Sequence, residues 1–319
     1  MSQLHLRSLI FTVLLVTGAT CHAITAEEPS FYNGFEVENG LIAPGDIDHG
    51  GPGRDGIPAL DAPVFLSGKE RKGQIKADDR VLGLYYNGVA KAYPISILDH
   101  HELVNDQFAE TPILISYCPL CGTGMVFLAN VKDQALNFGV SGLIYNSNVL
   151  LYDRNTGSLW SQILKKAVTG PMKGAELTQI PAQYTTWESW LNEHPDSLLL
   201  SRATGFERDY DYSPYEDYKR LPTVTFSTFN QDTRLYSKTW VVGITVGEES
   251  LALPFAELDK LDKPLRIRLG DTELSIQWDR NAQAARAFDE NGKEVPTTSA
   301  YWFSWVAFHP DTGIYGMGS

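Results

Sequence analysis

The stretch V-L-G-L-Y-Y-N-G-V-A-K-A-Y-P-I-S-I-L occupies residues 81–98 and indicates the class of fold. Two short apolar segments flank Asn87-Gly88, a pattern that is typical of a β-hairpin with a two-residue turn. Pro94 then opens a predicted short helix from Ile95 to Val104, because proline is well placed in the first turn of a helix. The stretch therefore predicts a hairpin that runs directly into a helix.

The same pattern recurs in the second half of the chain. Residues 241–258 read V-V-G-I-T-V-G-E-E-S-L-A-L-P-F-A-E-L, with Gly and Pro at the same spacing as in 81–98. Further on, W-E-S-W-L-N-E-H-P-D-S at 187–197 recurs as W-F-S-W-V-A-F-H-P-D-T at 302–312. Two matches in the same order predict an internal repeat, that is, a duplicated β-rich unit.

The two copies differ in length, because the segment between the matched blocks is longer in the first copy. The C-P-L-C motif at residues 118–121 lies in that longer segment. We interpret what both copies share as scaffold and what only the first copy has as the site. The predicted class is α+β and predominantly β, a duplicated β-rich unit with short helices in which only the first copy carries the C-P-L-C motif.

Composition and charge exclude several kinds of protein. The 319 residues include 26 Lys and Arg against 39 Asp and Glu, which gives a net charge of −13 and argues against a nucleic-acid partner or an anionic membrane surface. A hydrophobic fraction of 43% is ordinary for a soluble globular protein. Three cysteines are too few for a disulfide-rich scaffold.

The first residues have the features of a secretory signal. Arg7 precedes an apolar run from Leu9 to Val16, and small residues follow up to Ala23, after which we expect cleavage. The apolar run is too short for a permanent membrane span, and we expect no transmembrane segment in the mature chain. The predicted location is therefore outside the cytoplasm, in the periplasm. Lipidation of Cys21 is the alternative, although the residues before it form a poor lipobox.

We predict five segments along the chain. They are a signal peptide at 1–23, an irregular arm rich in Gly, Pro and Asp at 24–60, a first repeat with the cysteine pair at 61–202, a connector at 203–238, and a second, shorter repeat at 239–319.

The motif Cys118-Pro119-Leu120-Cys121-Gly122 follows a predicted strand and is the main candidate for chemistry. Two thiols separated by two residues can cycle between dithiol and disulfide, with one thiol attacking and the other resolving. The same pair can bind one metal ion with help from a further ligand, and copper or zinc suits two thiolates and an imidazole. A third interpretation is a structural disulfide, which closes so short a loop that it adds little stability.

The segment H-H-E at 100–102 occurs only in the copy that carries the cysteines. We predict that His101 faces the thiols as base or metal ligand and that Glu102 orients it. A solvated helix end is the alternative. In S-G-L-I-Y-N-S-N at 141–148, the side chains of Tyr145, Asn146 and Asn148 can offer hydrogen bonds to a ligand, or they simply form a polar turn.

Three blocks of the chain resemble one bacterial family. The blocks A-Y-P-I-S-I-L-D-H-H-E-L-V-N-D, S-Y-C-P-L-C-G-T-G-M-V-F and F-G-V-S-G-L-I-Y-N-S-N-V-L-L-Y-D-R-N-T-G-S-L-W-S-Q are similar to the family called domain of unknown function 3179. The resemblance runs from about Arg54 to the C-terminus. Some members of that family are labelled selenoproteins, with selenocysteine at one cysteine position of the motif. The resemblance thus favours redox chemistry, and it supplies no substrate.

These observations leave three hypotheses of function. The first is a periplasmic thiol-disulfide oxidoreductase in which Cys118 attacks, Cys121 resolves and His101 assists proton transfer, with a small molecule or a thiol/disulfide protein as partner. The second is a metal-binding or metal-dependent protein that uses Cys118, Cys121 and His101, although no cofactor is firmly implied. The third is a non-catalytic binding module that contacts its partner through connector tyrosines and uses the cysteines as a staple; the tyrosines are Tyr210, Tyr212, Tyr215 and Tyr218.

Overall fold

A computed structural model describes residues 31–317 of the chain. The predicted signal peptide, including Cys21, lies outside these residues. Strands make up 40% and helices 13% of the described part, which confirms the prediction of a predominantly β fold with short helices. No helix among residues 31–317 is long and apolar enough to cross a bilayer.

The elements are numbered in chain order. The strands before residue 239 are β1 (Phe31–Tyr32), β2 (Phe35–Glu36), β3 (Ile47–His49), β4 (Phe65–Leu66), β5 (Arg80–Tyr86), β6 (Val89–Pro94), β7 (Leu103–Phe108), β8 (Thr111–Cys118), β9 (Thr123–Leu128), β10 (Asn130–Val131), β11 (Gln134–Ala135), β12 (Phe138–Tyr145), β13 (Asn148–Asp153), β14 (Leu159–Ser161), β15 (Lys166–Ala167), β16 (Thr178–Ile180), β17 (Gln183–Thr186) and β18 (Leu198–Leu200). The later strands are β19 (Trp240–Val246), β20 (Glu249–Pro254), β21 (Leu265–Leu269), β22 (Thr272–Asp279), β23 (Ala284–Phe288), β24 (Glu294–Val295), β25 (Thr298–Tyr301) and β26 (Gly313–Ile314). The α-helices are α1 (Ile95–His101), α2 (Trp187–Glu193), α3 (Glu216–Arg220), α4 (Phe255–Leu258) and α5 (Trp302–Phe308), and 3-10 turns cover Pro44–Asp46 and Gly68–Arg71.

The described chain forms five sheets of four or five strands, besides two short two-stranded ladders. Two hairpin sheets have the orders β17-β5-β6-β18-β4 and β25-β19-β20-β26. Two meander sheets have the orders β16-β9-β8-β7 and β21-β22-β23-β24, and an inserted sheet has the order β15-β14-β13-β12-β3.

The two hairpin sheets confirm the duplicated unit. Val81 pairs with Pro94 across β5 and β6, and Val241 pairs with Pro254 across β19 and β20. In each copy an antiparallel strand, β17 or β25, lies along one side of the hairpin. A parallel strand, β18 or β26, lies along the other side. The sequence repeat is therefore a repeat of strand order and of hydrogen-bond register.

A glycine beneath an indole ring explains why Gly and Trp recur together. A Cβ atom on Gly83 would lie 2.4 Å from the ring of Trp190, and one on Gly243 would lie 2.1 Å from the ring of Trp305. The Nε1–H of Trp190 donates to Ser197 Oγ at 2.7 Å, and that of Trp305 donates to the hydroxyl of the matching Thr312 at 3.0 Å. Each helix is thereby fixed against its own hairpin.

The structure locates the length difference between the copies. Strands β9 and β16 are separated by residues 129–177, which contain four of the five strands of the inserted sheet, whereas β23 and β24 are separated only by residues 289–293. The cysteine pair lies in the turn between β8 and β9, a connection that both copies have. The pair therefore belongs to a shared meander sheet, and our placement of it within the extra segment is wrong.

The predicted helix from Ile95 to Val104 is also too long. Helix α1 ends at His101, because Glu102 has a φ of 58° and Leu103 already begins β7. The backbone N–H of Glu102 still donates to Leu98 O at 2.8 Å, which closes the last turn. The chain therefore turns from α1 into β7 directly after His101. The predicted segment boundaries at 60, 202 and 238 stay predictions.

The copies dock on each other reciprocally. The N–H of Tyr301, at the start of α5, donates to Cys121 O in the β8–β9 turn at 2.8 Å. In the opposite direction, the Arg80 guanidinium donates to Ala282 O and to Gln283 Oε1 in the β22–β23 turn. Each copy thus supplies a strand and a helix that cover the meander turn of the other.

We expect Gly83→Ala and Gly243→Ala each to lower the free energy of unfolding by about 3 kcal/mol, because the added Cβ would overlap a buried indole in a closely packed core. Chemical denaturation followed by circular dichroism measures the loss. Gly53→Ala is the control, since a Cβ there meets no atom within 4 Å and should change stability by less than about 0.5 kcal/mol. Equal stabilities of the three variants would contradict the role given to the glycine–tryptophan contact.

Candidate functional site

The C-P-L-C-G motif forms a tight turn between β8 and β9. The N–H of Cys121 donates to Cys118 O at 3.1 Å, which closes the turn. Gly122 has a φ of 64°, and a Cβ on it would lie 2.5 Å from the ring of Trp240. Only glycine combines this backbone conformation with so close an indole. The residue after the second cysteine is therefore explained by the turn and by its neighbour.

Both cysteines are free thiols in an apolar core between the meander sheet and the inserted sheet. Cys118 is 1% exposed and Cys121 is 0% exposed. Their Sγ atoms lie 3.0 Å apart, with the Cys118 thiol donating to Cys121. A small movement of either side chain would bring them to the S–S bond length of about 2.05 Å.

Two amides beside Cys121 have orientations that their partners fix. Gln162 Nε2 donates to Thr123 O at 3.2 Å and to Ser116 Oγ at 3.0 Å. Because a carbonyl oxygen can only accept, the amide nitrogen of Gln162 must face Thr123, and its Oε1 must face Asn148. Asn148 Nδ2 donates to that Oε1 at 2.9 Å and to Cys121 Sγ at 3.3 Å. The chain of hydrogen bonds therefore presents an N–H donor to one sulfur only.

The surroundings shift the pKa values of the two thiols in opposite directions. Burial raises the pKa of Cys121, but hydrogen bonds from Cys118, Ser304 and Asn148 outweigh burial and leave that pKa lowered. Burial, together with the hydrogen bond and the charge of Cys121, raises the pKa of Cys118 well above its usual value. Cys121 is therefore the first thiolate and Cys118 keeps its proton. The directions of the two pKa shifts differ from the sequence hypothesis, in which Cys118 attacks.

Three buried polar atoms near Cys121 make no hydrogen bond of ordinary geometry within residues 31–317. They are Ser304 Oγ, Ser147 Oγ and Asn148 Oδ1. The Ser304 hydroxyl lies close enough to the sulfur to lower the pKa of Cys121. The Cys121 thiol, while protonated, donates to the backbone oxygen of Ser147 at 3.2 Å. Buried polar groups without a partner are rare in folded proteins and call for an occupant of the space they face.

Glu102 is the acid of the site. Its φ of 58° is unfavourable for a residue with a side chain and is compatible with a functional role. The carboxylate accepts a hydrogen bond from the Tyr215 hydroxyl at 3.2 Å. Burial first, and then the charge of Asp99, raise the pKa of Glu102 to about 7 against the opposing effect of Tyr215. The charge of Glu102 also raises the pKa values of both thiols, so the three groups share one electrostatic environment.

His101 is engaged elsewhere. Its Nδ1 lies 2.8 Å from Pro58 O, so that nitrogen carries the proton, and its Nε2 accepts from the Tyr210 hydroxyl at 2.7 Å. Burial lowers the pKa of His101 to about 4, which keeps the ring neutral. Both ring nitrogens are therefore occupied, and the role of His101 as base or ligand stays a prediction. Within residues 31–317, no group of three or more His, Cys, Asp or Glu side chains is placed to hold a metal ion.

Of the three predicted ligand-binding side chains, the structure brings only Asn148 to the thiols. Asn146 Oδ1 accepts from the N–H of Phe229 in the connector at 2.9 Å, and its Nδ2 donates to Ala307 O at 3.3 Å. The ring of Tyr145 packs against Phe229 and Phe308. These two side chains hold the connector and α5 in place, and a ligand-binding role for them stays a prediction.

The connector lies across the candidate site. Tyr212 is exposed, but the other three connector tyrosines point inward and bond to the site or its border. The inward contacts are Tyr210 with His101, Tyr215 with Glu102 and Tyr218 with Leu120 O. Lys219 in α3 adds an ion pair with the buried Asp99 at 2.6 Å. Three of the four tyrosines that the sequence suggested as a contact surface therefore close the site.

Sequence reasoning missed several members of the site. Gln162 ends the third of the three family-like blocks, in S-L-W-S-Q, and the sequence alone did not assign it to the site. Ser304 was assigned to the scaffold, because the repeated blocks have serine at this position in both copies, as Ser189 and Ser304. Only the three-dimensional packing shows that one serine faces a thiol while the other bonds to Asp279 at 2.9 Å.

We expect Gln162→Leu to raise the pKa of Cys121, because Asn148 then loses the acceptor that orients its amide toward the sulfur. A hydrogen bond to a charged group is worth about 1.5 kcal/mol. Ultraviolet thiolate absorbance followed against pH in the Cys118→Ser background measures the shift. Gln179→Leu is the matched control, since Gln179 bonds to Thr298 and not to the thiol network. Superimposable titrations of the two variants would contradict the role of the Gln162–Asn148 hydrogen bond in lowering the pKa of Cys121.

Glu102 gives the protein a defined pH dependence. Because the pKa of Glu102 is about 7 in the folded state against 4.5 for the ordinary group, the folded state binds the extra proton between these values. Stability is therefore full below about pH 4.5 and falls as the pH rises through 7. Glu102→Gln should remove this fall, so the variant should gain roughly 3 kcal/mol on the wild type between pH 4.5 and 8. Urea denaturation across this range measures the difference, and a substitution at an exposed acid, Glu110→Gln, is the control. Parallel curves of stability against pH for Glu102→Gln and the wild type would contradict the prediction.

Comparison with known proteins assigns a family. A family model described as "Protein of unknown function (DUF3179)" matches residues 54–294, which is most of the chain and includes the cysteine motif, Glu102, Asn148 and Gln162. Comparison with curated proteins and with solved structures gave no match. The chain therefore belongs to the DUF3179 family.

Proposed function

We propose that the protein is a thiol oxidoreductase whose active pair is Cys118 and Cys121. The observation that carries the proposal is the asymmetric environment of the two sulfurs. One sulfur accepts hydrogen bonds from a neighbouring thiol and from the fixed amide of Asn148, and the other keeps its proton 3.0 Å away. A stabilised thiolate beside a protonated thiol is the arrangement that attack followed by resolution requires.

The chemistry divides between three groups. The Cys121 thiolate attacks the electrophilic atom of the substrate and forms a covalent bond to it, and a leaving group departs with the electron pair. Cys118 then attacks Cys121, the intramolecular disulfide forms, and the second product leaves. The proton of Cys118 passes toward Glu102, whose pKa of about 7 suits a proton acceptor and donor near neutral pH. The substrate gains two electrons, and an external thiol reductant restores the pair.

We also propose that the protein works outside the cytoplasm. The support is the predicted signal at residues 1–23, with its cationic start, short apolar run and small residues before the cleavage point. Thiol pairs in the periplasm exchange electrons with the thiol oxidants and reductants of that compartment.

Among residues 31–317, no contact that we describe favours the metal-binding alternative. The two sulfurs lie 3.0 Å apart, closer than the about 3.8 Å that two Zn–S bonds of about 2.3 Å span at a tetrahedral angle. Both nitrogens of His101 bond to other groups. Copper or zinc binding by Cys118, Cys121 and His101 thus stays a prediction from the sequence.

A redox titration tests the proposal. Purified protein is equilibrated with mixtures of reduced and oxidised dithiothreitol, and free thiols are counted by alkylation in denaturant. We expect a single two-electron transition at Cys118 and Cys121 that Cys118→Ser and Cys121→Ser both abolish. A metal assay on the same preparation tests the alternative, which stoichiometric metal lost in either variant would support. A pair that stays oxidised in every mixture, with variants that lose only stability, would leave the staple as the explanation.

A further inference from the structure

The contacts around Cys121 also indicate what kind of molecule the pair acts on. Resting on the function proposed above, we infer that the substrate is a small hydroperoxide, which Cys121 reduces through a sulfenic acid held by the buried hydroxyl of Ser304. The inference depends on how closed the site is, on which polar atoms lack partners, and on where each atom goes in the reaction.

The closed site excludes a protein disulfide as substrate in this conformation. Attack on a disulfide brings the two sulfurs to bonding distance, so a protein substrate would have to reach Cys121, which is 0% exposed. The connector lies across this region, with Tyr215 bonded to Glu102 and Tyr218 bonded to Leu120 O. Asp99 anchors it further through Lys219 and Ser213, both at 2.6 Å. A molecule little larger than water needs only a brief local opening.

The unpartnered atoms match an oxygen-bearing ligand. The Ser304 hydroxyl is a buried donor beside the sulfur, and Asn148 Oδ1 is a buried acceptor on the amide that bonds to the same sulfur. A hydroperoxide can accept a hydrogen bond from the first and donate one to the second. The sulfur atoms of a disulfide are weak acceptors and carry no proton to donate. A donor whose neighbour is the reacting sulfur itself and an acceptor without a partner therefore favour the –O–O–H group over a disulfide.

A polar hollow of about 510 Å³ lies on the far side of α5. Connector residues with hydroxyl and amide side chains line it, together with Phe303 and Val306 of α5. Ser304 follows Phe303 on the same helix, so one helix separates this hollow from the thiol.

The atoms and electrons of the reaction balance without a metal or an organic cofactor. The Cys121 thiolate attacks the terminal oxygen of R–O–O–H, an S–O bond forms and the O–O bond breaks. The R–O⁻ leaving group takes a proton from Glu102 and departs as an alcohol, or as water when R is hydrogen. Cys118 then attacks the sulfenic sulfur, the disulfide forms and water leaves. An external dithiol reduces the disulfide and is itself oxidised.

The test compares a peroxide with a small disulfide. Reduced protein is mixed with hydrogen peroxide or with cystamine, a small disulfide, and loss of free thiols is followed with time. We expect peroxide to oxidise the pair at least a hundredfold faster than cystamine. In Cys118→Ser, peroxide should leave a sulfenic acid on Cys121, which dimedone traps and mass spectrometry locates. Neither measurement depends on a variant of Ser304.

Serine variants then test the role of Ser304. Ser304→Ala should slow oxidation by peroxide about tenfold more than oxidation by cystamine. One hydrogen bond to a charged transition state is worth about 1.4 kcal/mol, whereas the rise in the pKa of Cys121 on loss of the hydroxyl slows both oxidants alike. Ser189→Ala is the matched control, because it removes the same residue at the same helix position in the other copy, where the hydroxyl bonds to Asp279. Both rates should then equal those of the wild type.

Two outcomes separate the inference from the function on which it rests. If cystamine oxidises the pair as fast as peroxide, and no sulfenic acid is trapped, the hydroperoxide assignment fails while thiol redox chemistry stands. If neither oxidant nor the dithiothreitol mixtures change the thiol count, both fail. Equal effects of Ser304→Ala on the two oxidants would show that the serine only supports the fold.

Discussion

The contact between a glycine and an indole ring fixes the rest of the structure. Gly83 under Trp190 and Gly243 under Trp305 bring a helix onto each hairpin closer than any larger residue would allow. The position of α5 follows from the second contact, and it places the N–H of Tyr301 on Cys121 O. The geometry at the thiol therefore depends on a packing contact in the other copy.

The same scaffold surrounds two very different turns. At the end of β22 the second copy has Asp279, whose carboxylate bonds to Ser189 at a partly exposed position. At the end of β8 the first copy has Cys118, and the inserted sheet covers it together with Cys121. Removing water from this turn strengthens each hydrogen bond to the sulfur and penalises each unpaired polar atom. The insertion thus supplies the low-dielectric environment in which Asn148 and Gln162 distinguish one sulfur from the other.

The sequence predicted the structural features that recur in both copies or that have a recognisable local motif. The Asn87-Gly88 hairpin, the paired Gly and Trp positions and the cysteine motif all follow from local patterns. The pattern could not show that Glu102 adopts a positive φ, which ends α1 early, or that Glu102 and not His101 shares an electrostatic environment with the thiols. Nor could it identify Ser304, since an identical serine stands in the other copy. Both features arise from packing between segments that are distant in the chain.

Burial allows the site little negative charge. Desolvation raises the pKa of Glu102 to about 7 and also raises that of Cys118, so a second charge near the Cys121 thiolate is unfavourable. While Cys121 is a thiolate, Glu102 is therefore favoured in its protonated form, ready to donate. In the redox cycle that we propose, Cys118 loses its proton as the disulfide forms, the charge on sulfur disappears, and Glu102 is then free to ionise. In that cycle electron transfer and proton transfer would be coupled, because one buried volume tolerates one charge.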